Sequence, residues 1–386
     1  MKYLRALSVF AALLVWWLPT FAQNLNEALS SPAGIITAQY LYAGGSSISG
    51  TGGVISGFRV DTAGKLHFTG QAFPVREPAS NLLQSPFGAK LFAGGLHTIW
   101  SFAVTPTTGV LRFVTSVRLP GNDQLQAMAI NPQGTLLFTL DLIGLPPAPL
   151  TSRLTTYRIG SSGALSRIAS LNIAPANSDL AVDPAGRFLY VVTIASFTSP
   201  IIKQFRINFT TGALTLVRSF TTPSTVPVGE QLAFHPNGRA LYVGGFDAPA
   251  VTEFSVDLTS GALSGGTFTA PDCDGGPDFG GPLAVSPGGT LLFEGNLQPT
   301  AISEYKINTA TDMPSAIGCF LFPPSSSFTT MAIDGTGKFL YSNNLPNLSI
   351  LAFTTTNGVL TAIAGSPFSL PASMSKIRTL RVLSVR

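Results

Sequence analysis

The densest chemistry in the sequence lies at Pro271-Asp272-Cys273-Asp274-Gly275-Gly276-Pro277-Asp278, where Asp272, Asp274 and Asp278 crowd into one short segment. Hard cations such as Ca²⁺ take several oxygen ligands, and Asp-x-Asp-Gly opens loops of that kind. The closing Glu of an EF-hand is absent, so a solvated loop pinned by Cys273 accounts for the same residues. Asp141 and Glu230 are the carboxylates best placed for acid and base work, in which one group gives a proton and the other takes it. Asp179, Gln231, Glu294, Asn296 and Asn344 are polar variants at otherwise repeated positions, and His97 lies in the loop after Gly94-Gly95, which marks these six for ligand contacts. The remaining histidines, His67 and His235, read as a surface strand residue and a turn cap. No two histidines stand at metal-ligand spacing, and no Gly-x-Ser-x-Gly elbow occurs.

These residues hang on a repeated element. A short apolar strand, a turn such as Asp183-Pro184-Ala185-Gly186 and a second strand beginning Leu-Tyr or Leu-Phe recur along the chain. The turn glycines Gly88, Gly134, Gly186, Gly238, Gly289 and Gly337 are 46, 52, 52, 51 and 48 residues apart. A fixed period in this range belongs to solenoids, propellers and arrays. Each unit holds four strand signals, and its third strand, as in Val251-Thr252-Glu253-Phe254-Ser255-Val256, alternates with period two, as a half-buried strand does. That strand carries a large side chain at one register: Phe58, Phe102, Tyr157, Phe205, Phe254, Tyr305 and Leu351. Packing between neighbouring units explains the series better than ligand stacking does.

Second strands can be counted seven times, at Tyr40-Leu41-Tyr42 and then at Leu91, Leu137, Leu189, Leu241, Leu292 and Leu340. The first unit lacks the strand that should precede it. The tail, Ile377-Arg378-Thr379-Leu380-Arg381-Val382, alternates with no unit after it. The expectation is an all-β, seven-bladed β-propeller of four-stranded antiparallel blades, its ring closed by the C-terminal strand, because closure removes exposed sheet edges.

Residues 1–22 read as a secretory signal peptide: Lys2 and Arg5, an apolar run from Ala6 to Leu18, then Thr20-Phe21-Ala22 before Gln23. The run is short of the roughly 20 residues a membrane span needs. Residues 23–38 form an N-terminal extension and 39–386 the repeat domain. The expected location is secreted or periplasmic, with no membrane span after signal cleavage. Only 10% of residues are charged, and no basic run or basic–aromatic patch points to nucleic acid. In an exported chain the two cysteines, Cys273 and Cys319, are expected to pair; two buried free thiols are the alternative.

The phrases Asp183-Pro184-Ala185-Gly186-Arg187-Phe188-Leu189-Tyr190-Val191-Val192-Thr193, Phe205-Arg206-Ile207-Asn208 and Thr211-Gly212-Ala213-Leu214 resemble the lactonase-type seven-bladed propellers, which include 6-phosphogluconolactonase-like proteins and the Tyr-Val-Thr-Asn repeat propellers. Gly365-Ser366-Pro367-Phe368 is similar to a phrase common between their blades. The resemblance implies the propeller fold from about Gln39 onward, and lactone hydrolysis as the family's named activity. Active members tend to carry Gly-Pro-Arg-His before Phe-His-Pro-x-Gly. Here Phe234-His235-Pro236-Asn237-Gly238 is kept, while the preceding residues are Val228-Gly229-Glu230-Gln231.

Two functions follow as expectations. One is a monomeric binding propeller that takes a small-molecule, carbohydrate or protein ligand at one mouth of its channel. The other is a lactone hydrolase in which Asp141, Glu230 and other carboxylates replace the missing Arg-His pair. Register places Ala127, Asp179, Gln231, Pro282 and Thr330 around the channel at the start of the innermost strands, and Asp141, Asn296 and Asn344 at the ends of the second strands. Ca²⁺ is the one cofactor the sequence raises.

Overall fold

The computed structural model describes residues 36–50, 52–87, 89–144, 151–174, 177–193, 201–221, 228–246, 251–269, 280–297, 300–323, 329–344 and 348–385. The signal-peptide segment, Asp272, Cys273, Asp274 and Asp278 lie outside the described residues. One compact unit spans Ala38–Val385.

The strands run in chain order. Blade 1 uses β1 (Ala38–Ser47), β2 (Gly53–Val60) and β3 (Leu66–Val75). Blade 2 is β4 (Asn81–Gln84), β5 (Lys90–Gly94), β6 (Thr98–Val104) and β7 (Leu111–Arg118). Blade 3 is β8 (Gln124–Ile130), β9 (Leu136–Ile143), β10 (Thr151–Ile159) and β11 (Leu165–Ile173). Blade 4 is β12 (Asn177–Val182), β13 (Phe188–Thr193), β14 (Ile201–Ile207) and β15 (Leu214–Thr221). Blade 5 is β16 (Val228–Phe234), β17 (Ala240–Phe246), β18 (Val251–Val256) and β19 (Leu263–Thr269). Blade 6 is β20 (Gly280–Val285), β21 (Leu291–Leu297), β22 (Thr300–Ile307) and β23 (Pro314–Leu321). Blade 7 is β24 (Met331–Ile333), β25 (Phe339–Asn344), β26 (Ser349–Thr354) and β27 (Thr361–Ala362), with the short β28 (Phe368–Ser369) also pairing with β26.

The last strand, β29 (Met374–Val385), returns to blade 1 and pairs antiparallel with β1, giving the order β29-β1-β2-β3. The ring is therefore closed by the C-terminal strand. The first strand of each sheet touches the first strand of the next, in the cycle β29, β4, β8, β12, β16, β20, β24 and back to β29. These seven strands surround the central channel.

Seven apolar clusters hold the ring, one at each interface between neighbouring blades. Each brings a second-strand aromatic of one blade against a third-strand aromatic of the next. The pairs are Tyr42 with Phe102, Phe92 with Tyr157, Phe138 with Phe205, and Tyr190 with Phe254. Tyr242 with Tyr305, Phe293 with Phe353, and Tyr341 with Phe58 complete the ring. The third-strand series thus ends on Phe353, which pairs with Leu340, and not on Leu351, which faces Ser342. Wide aromatic rings bury enough apolar surface at each interface to fix neighbouring twisted sheets against each other.

Where the second-strand aromatic is tyrosine, its hydroxyl adds a bond to the outer turn of the next blade. Tyr42 donates to Gly109 O (2.7 Å), Tyr190 to Gly261 O (2.6 Å), Tyr242 to Asp312 O (2.6 Å) and Tyr341 to Gly64 O (3.0 Å). These turns need a residue at positive φ. Gly261 sits at 68°, and a side chain there would also strike Gln204 and Tyr190. Asp312 takes the same conformation, at 58°, in the unit that has lost its glycine, and Arg239 bonds its carboxylate at 2.9 Å. Asp is one of the few non-glycine residues that tolerate this region, because its short side chain can be held locally.

Candidate functional site

The channel is the concave feature on which the nominated residues were expected to converge. An innermost strand is the edge strand of its blade, so its channel-side N–H groups have no ladder partner and must be satisfied by side chains or water. At one register the seven strands carry Thr379, Asn81, Ala127, Asp179, Gln231, Pro282 and Thr330. Several of these supply that partner to the next blade. Asp179 Oδ2 accepts the N–H of Leu232 (2.8 Å), Gln231 Oε1 that of Leu283 (3.2 Å), and Thr330 Oγ1 that of Leu380 (3.1 Å). Asn81 donates across its interface to Gln126 O (3.5 Å). The polar girdle is a set of clasps between blades. Burial is the main influence on the Asp179 carboxyl and pushes it up to about 7, against the pull of hydrogen bonds from Leu232 and Leu180.

Just before the girdle the ladder slips by one residue. Gly44 pairs with Thr379 but Gly45 with Ile377, leaving Arg378 as the extra residue. The same slip leaves out Gln126 in blade 3, Ser178 in blade 4 and Glu230 in blade 5. In blade 6 it falls at Gly281-Pro282. A bulge re-aims the side chain of its extra residue. Arg378 and Gln126 are exposed at this end of the channel. Glu230 is thus the bulge residue of β16, and Gln231 is a clasp.

The ends of the second strands turn elsewhere. Asp141 is fully buried, on the face of blade 3 that packs against blade 2, in line with Leu137. Its Oδ2 accepts hydrogen bonds from Thr139 (3.0 Å) and Thr155 (3.1 Å), and its Oδ1 has no partner among the described residues. Burial pushes this carboxyl up to about 7; the two hydroxyls pull the other way, Asp123 raises it and Arg153 lowers it. Asn296 and Glu294 repeat the arrangement in blade 6. Asn296 donates to Ser303 Oγ (2.7 Å), Glu294 accepts from Tyr305 (3.3 Å), and both are fully buried. Asn344 is buried at the same register of blade 7. None of these four side chains opens onto the channel, because the alternation of a regular strand directs them into the interfaces between blades.

His97 is held on the loop between β5 and β6. Its N–H donates to Glu77 Oε2 (2.6 Å) and its Nδ1 meets Asp123 O (2.9 Å), tying blade 2 to the start of blade 3. Asp123 in turn forms an ion pair with Arg153, whose Nε donates to Asn172 (3.1 Å). Sequence reading missed Glu77, Asp123 and Arg153, which stand in loops or strands with no distinctive spacing. It also missed Arg381, which looked like one polar residue of an alternating strand. His235 is a buried turn residue whose Nε2 meets Gly289 O (2.8 Å), joining the turns of blades 5 and 6. His67 is exposed and pairs with Asp61 at 2.8 Å.

Cys319, on β23, is disulfide-bonded, and the chain's other cysteine, Cys273, lies outside the described residues. Among the described residues no cluster of His, Cys, Asp and Glu could hold a metal ion, and no helix is long and apolar enough to cross a membrane.

Compared with known proteins, residues 149–272 match the family described as lactonase, 7-bladed beta-propeller. That match, over about a third of the chain, agrees with the seven four-stranded blades and the ring closure. The chain is similar to the lactonase-type seven-bladed propellers over that stretch. No curated protein matches it in sequence. Among solved structures, this seven-bladed propeller is similar to a proposed 6-phosphogluconolactonase of Bacteroides fragilis NCTC 9343, at 18% identity and a TM-score of 0.71, covering 92% of this chain and 100% of that one. A proposed 6-phosphogluconolactonase of Bacteroides uniformis ATCC 8492 is similar at 18% identity and a TM-score of 0.70, covering 90% and 99%. The periplasmic gluconolactonase of Pseudomonas aeruginosa is similar at 16% identity and a TM-score of 0.71, covering 91% and 100%. At these identities the likenesses speak for the fold, and function has to be argued from the site.

Proposed function

We propose that the chain is an exported ligand-binding propeller whose site lies at the channel mouth where the innermost strands begin. The observation that carries this reading is the row of bulges. At one register the extra residue is Arg378, Gln126, Ser178 or Glu230, a different polar residue in each of four blades. The girdle immediately beyond is committed to holding blades together, so variation in the bulge residues does not disturb the ring. Exposed polar side chains such as Arg378 and Gln126, at a register whose residue changes from blade to blade, suit a small polar ligand such as a carbohydrate. Export rests on Lys2, Arg5 and the apolar run from Ala6 to Leu18.

Lactone hydrolysis is the second reading. It is favoured by the match of residues 149–272 to the lactonase seven-bladed propeller family and by Asp179, a girdle carboxyl that burial brings close to neutrality, where a general base works best. One experiment separates the two. The purified protein is assayed against sugar and aliphatic lactones, with and without Ca²⁺, and the same compounds are titrated calorimetrically. Saturable binding that weakens in Arg378→Ala and Gln126→Ala, with no turnover above the protein-free rate, supports the binding reading. Turnover abolished by Asp179→Asn replaces it with the enzyme.

A further inference from the structure

Past the girdle, toward the Pro-x-Gly turns, the innermost strands reach a second register. There the innermost strands carry Arg381, Leu83, Ala129, Ala181, Ala233, Ala284 and Ala332, each paired with a second-strand aromatic. Five alanines leave the space that one arginine enters. A cavity of about 280 Å³ opens at this end, with Arg381, Ala284 and Ala332 in its wall.

The guanidinium of Arg381 makes no ion pair and no hydrogen bond with any described residue, yet it is half enclosed by the channel wall. A guanidinium removed from bulk water without a partner is costly, and the usual remedy is a bound anion. Burial also lowers its pKa, with no charged neighbour opposing. The carboxylate nearest in the wall, Asp334, is fully buried and spent on Gln39, Thr336 and the N–H groups of Lys338 and Phe339.

A second residue breaks its register in the same cavity. The position after the alanine ring is Ile130, Val182, Phe234, Val285, Ile333 and Val382 in the other blades, and Gln84 in blade 2. Gln84 lines the cavity, and its amide has no hydrogen-bond partner among the described residues; its Oε1 is buried. Blade 2 is the neighbour of β29, so Arg381 and Gln84 stand on adjacent strands.

We propose that the turn end of the channel is a binding site for a small hydroxycarboxylate, with the Arg381 fork on the carboxylate and the Gln84 amide on an adjoining hydroxyl. Planar guanidinium matches carboxylate in a two-pronged pairing, and a terminal amide can give to or take from a hydroxyl. This site is separate from the bulge-lined mouth and does not rest on that reading.

The test is calorimetric titration of the purified protein, in low-chloride buffer, with gluconate, inorganic phosphate and the uncharged polyol glucitol. Gluconate is expected to bind saturably and glucitol not to bind. Binding should weaken at least tenfold in Arg381→Gln, less in Arg381→Lys, and severalfold in Gln84→Leu, with thermal unfolding confirming that each variant is folded. Should Arg381→Gln fail to fold, the Gln84→Leu and Arg381→Lys titrations carry the test. Absence of saturable gluconate binding, equal binding by folded Arg381 variants, or equal binding of glucitol overturns the proposal. Phosphate binding as tight as gluconate and indifferent to Gln84→Leu also overturns it, since the site would then recognise a bare oxyanion.

Discussion

Replacing Asp141 with Asn should remove a pH-dependent weakness from the interface between blades 2 and 3. The carboxyl is fully buried, with two threonine hydroxyls donating to one oxygen. Burial, outweighing those hydroxyls, pushes it up to about 7 in the folded chain from an ordinary value of 3.8. A folded value above the unfolded one means that the folded state holds the proton more tightly. The associated stability is fully present below pH 4 and is lost as pH rises through 7. A gap of about three pH units at about 1.4 kcal/mol each sets an upper limit of roughly 4 kcal/mol. Between pH 5 and pH 8 the loss should amount to roughly 2–3 kcal/mol. Asn keeps the shape and one acceptor for Thr139 and Thr155 but cannot ionise. The assay is urea unfolding of both proteins at pH 5, 6, 7 and 8, followed by tryptophan fluorescence. Asp179 titrates in the same range, so the quantity to read is the difference between the two proteins. The advantage of Asp141→Asn should grow with pH. A difference that stays flat from pH 5 to pH 8, or that shrinks, refutes the assignment of a buried, proton-holding carboxyl.

Truncation after Ser373 deletes β29 and with it the burial of Met374, Ile377, Leu380, Val382 and Leu383. At roughly 1.5–3 kcal/mol per side chain this equals the net stability of an ordinary domain, so circular dichroism should show no cooperative melt. Tyr190→Phe removes the 2.6 Å bond to Gly261 O and leaves that carbonyl buried; denaturant unfolding should record a loss of about 1–2 kcal/mol. Arg381→Met keeps the stem and removes a partnerless charge, so without ligand the melting midpoint should rise by about 2 °C or more, read by scanning calorimetry.

The repeat was legible because its parts obey local rules. The turn glycines Gly134, Gly186, Gly238, Gly289 and Gly337 all take positive φ, which few other residues adopt cheaply. The alternating tail without a unit of its own, and the first unit without an opening strand, implied one another. The third-strand aromatics were visible, but their second-strand partners were read only as the start of a strand. Their pairing crosses from blade to blade and leaves no mark at any fixed spacing.

The candidate site was harder to read, for a geometric reason. A strand sends successive side chains to opposite faces, and one extra residue reverses the sense from that point on. Counting from the Pro-x-Gly turn placed Asp141, Asn296 and Asn344 at the correct register, but register alone does not say whether a side chain enters the channel or an interface. Asp179 and Gln231 do stand at the channel, where their acceptors go to the backbone of the next blade, a partner some fifty residues away.

The sequence by itself determined the blade count, the turn chemistry and the closure of the ring, since all three depend on residues close together or on a missing strand matched by a spare one. Tertiary structure decided which polar groups are clasps, which are buried between blades and which face open space. Gln84 and Arg381 lie near opposite ends of the chain and are unremarkable in their own strands. Closure of the ring sets β29 beside β4, and only then do the two share one cavity.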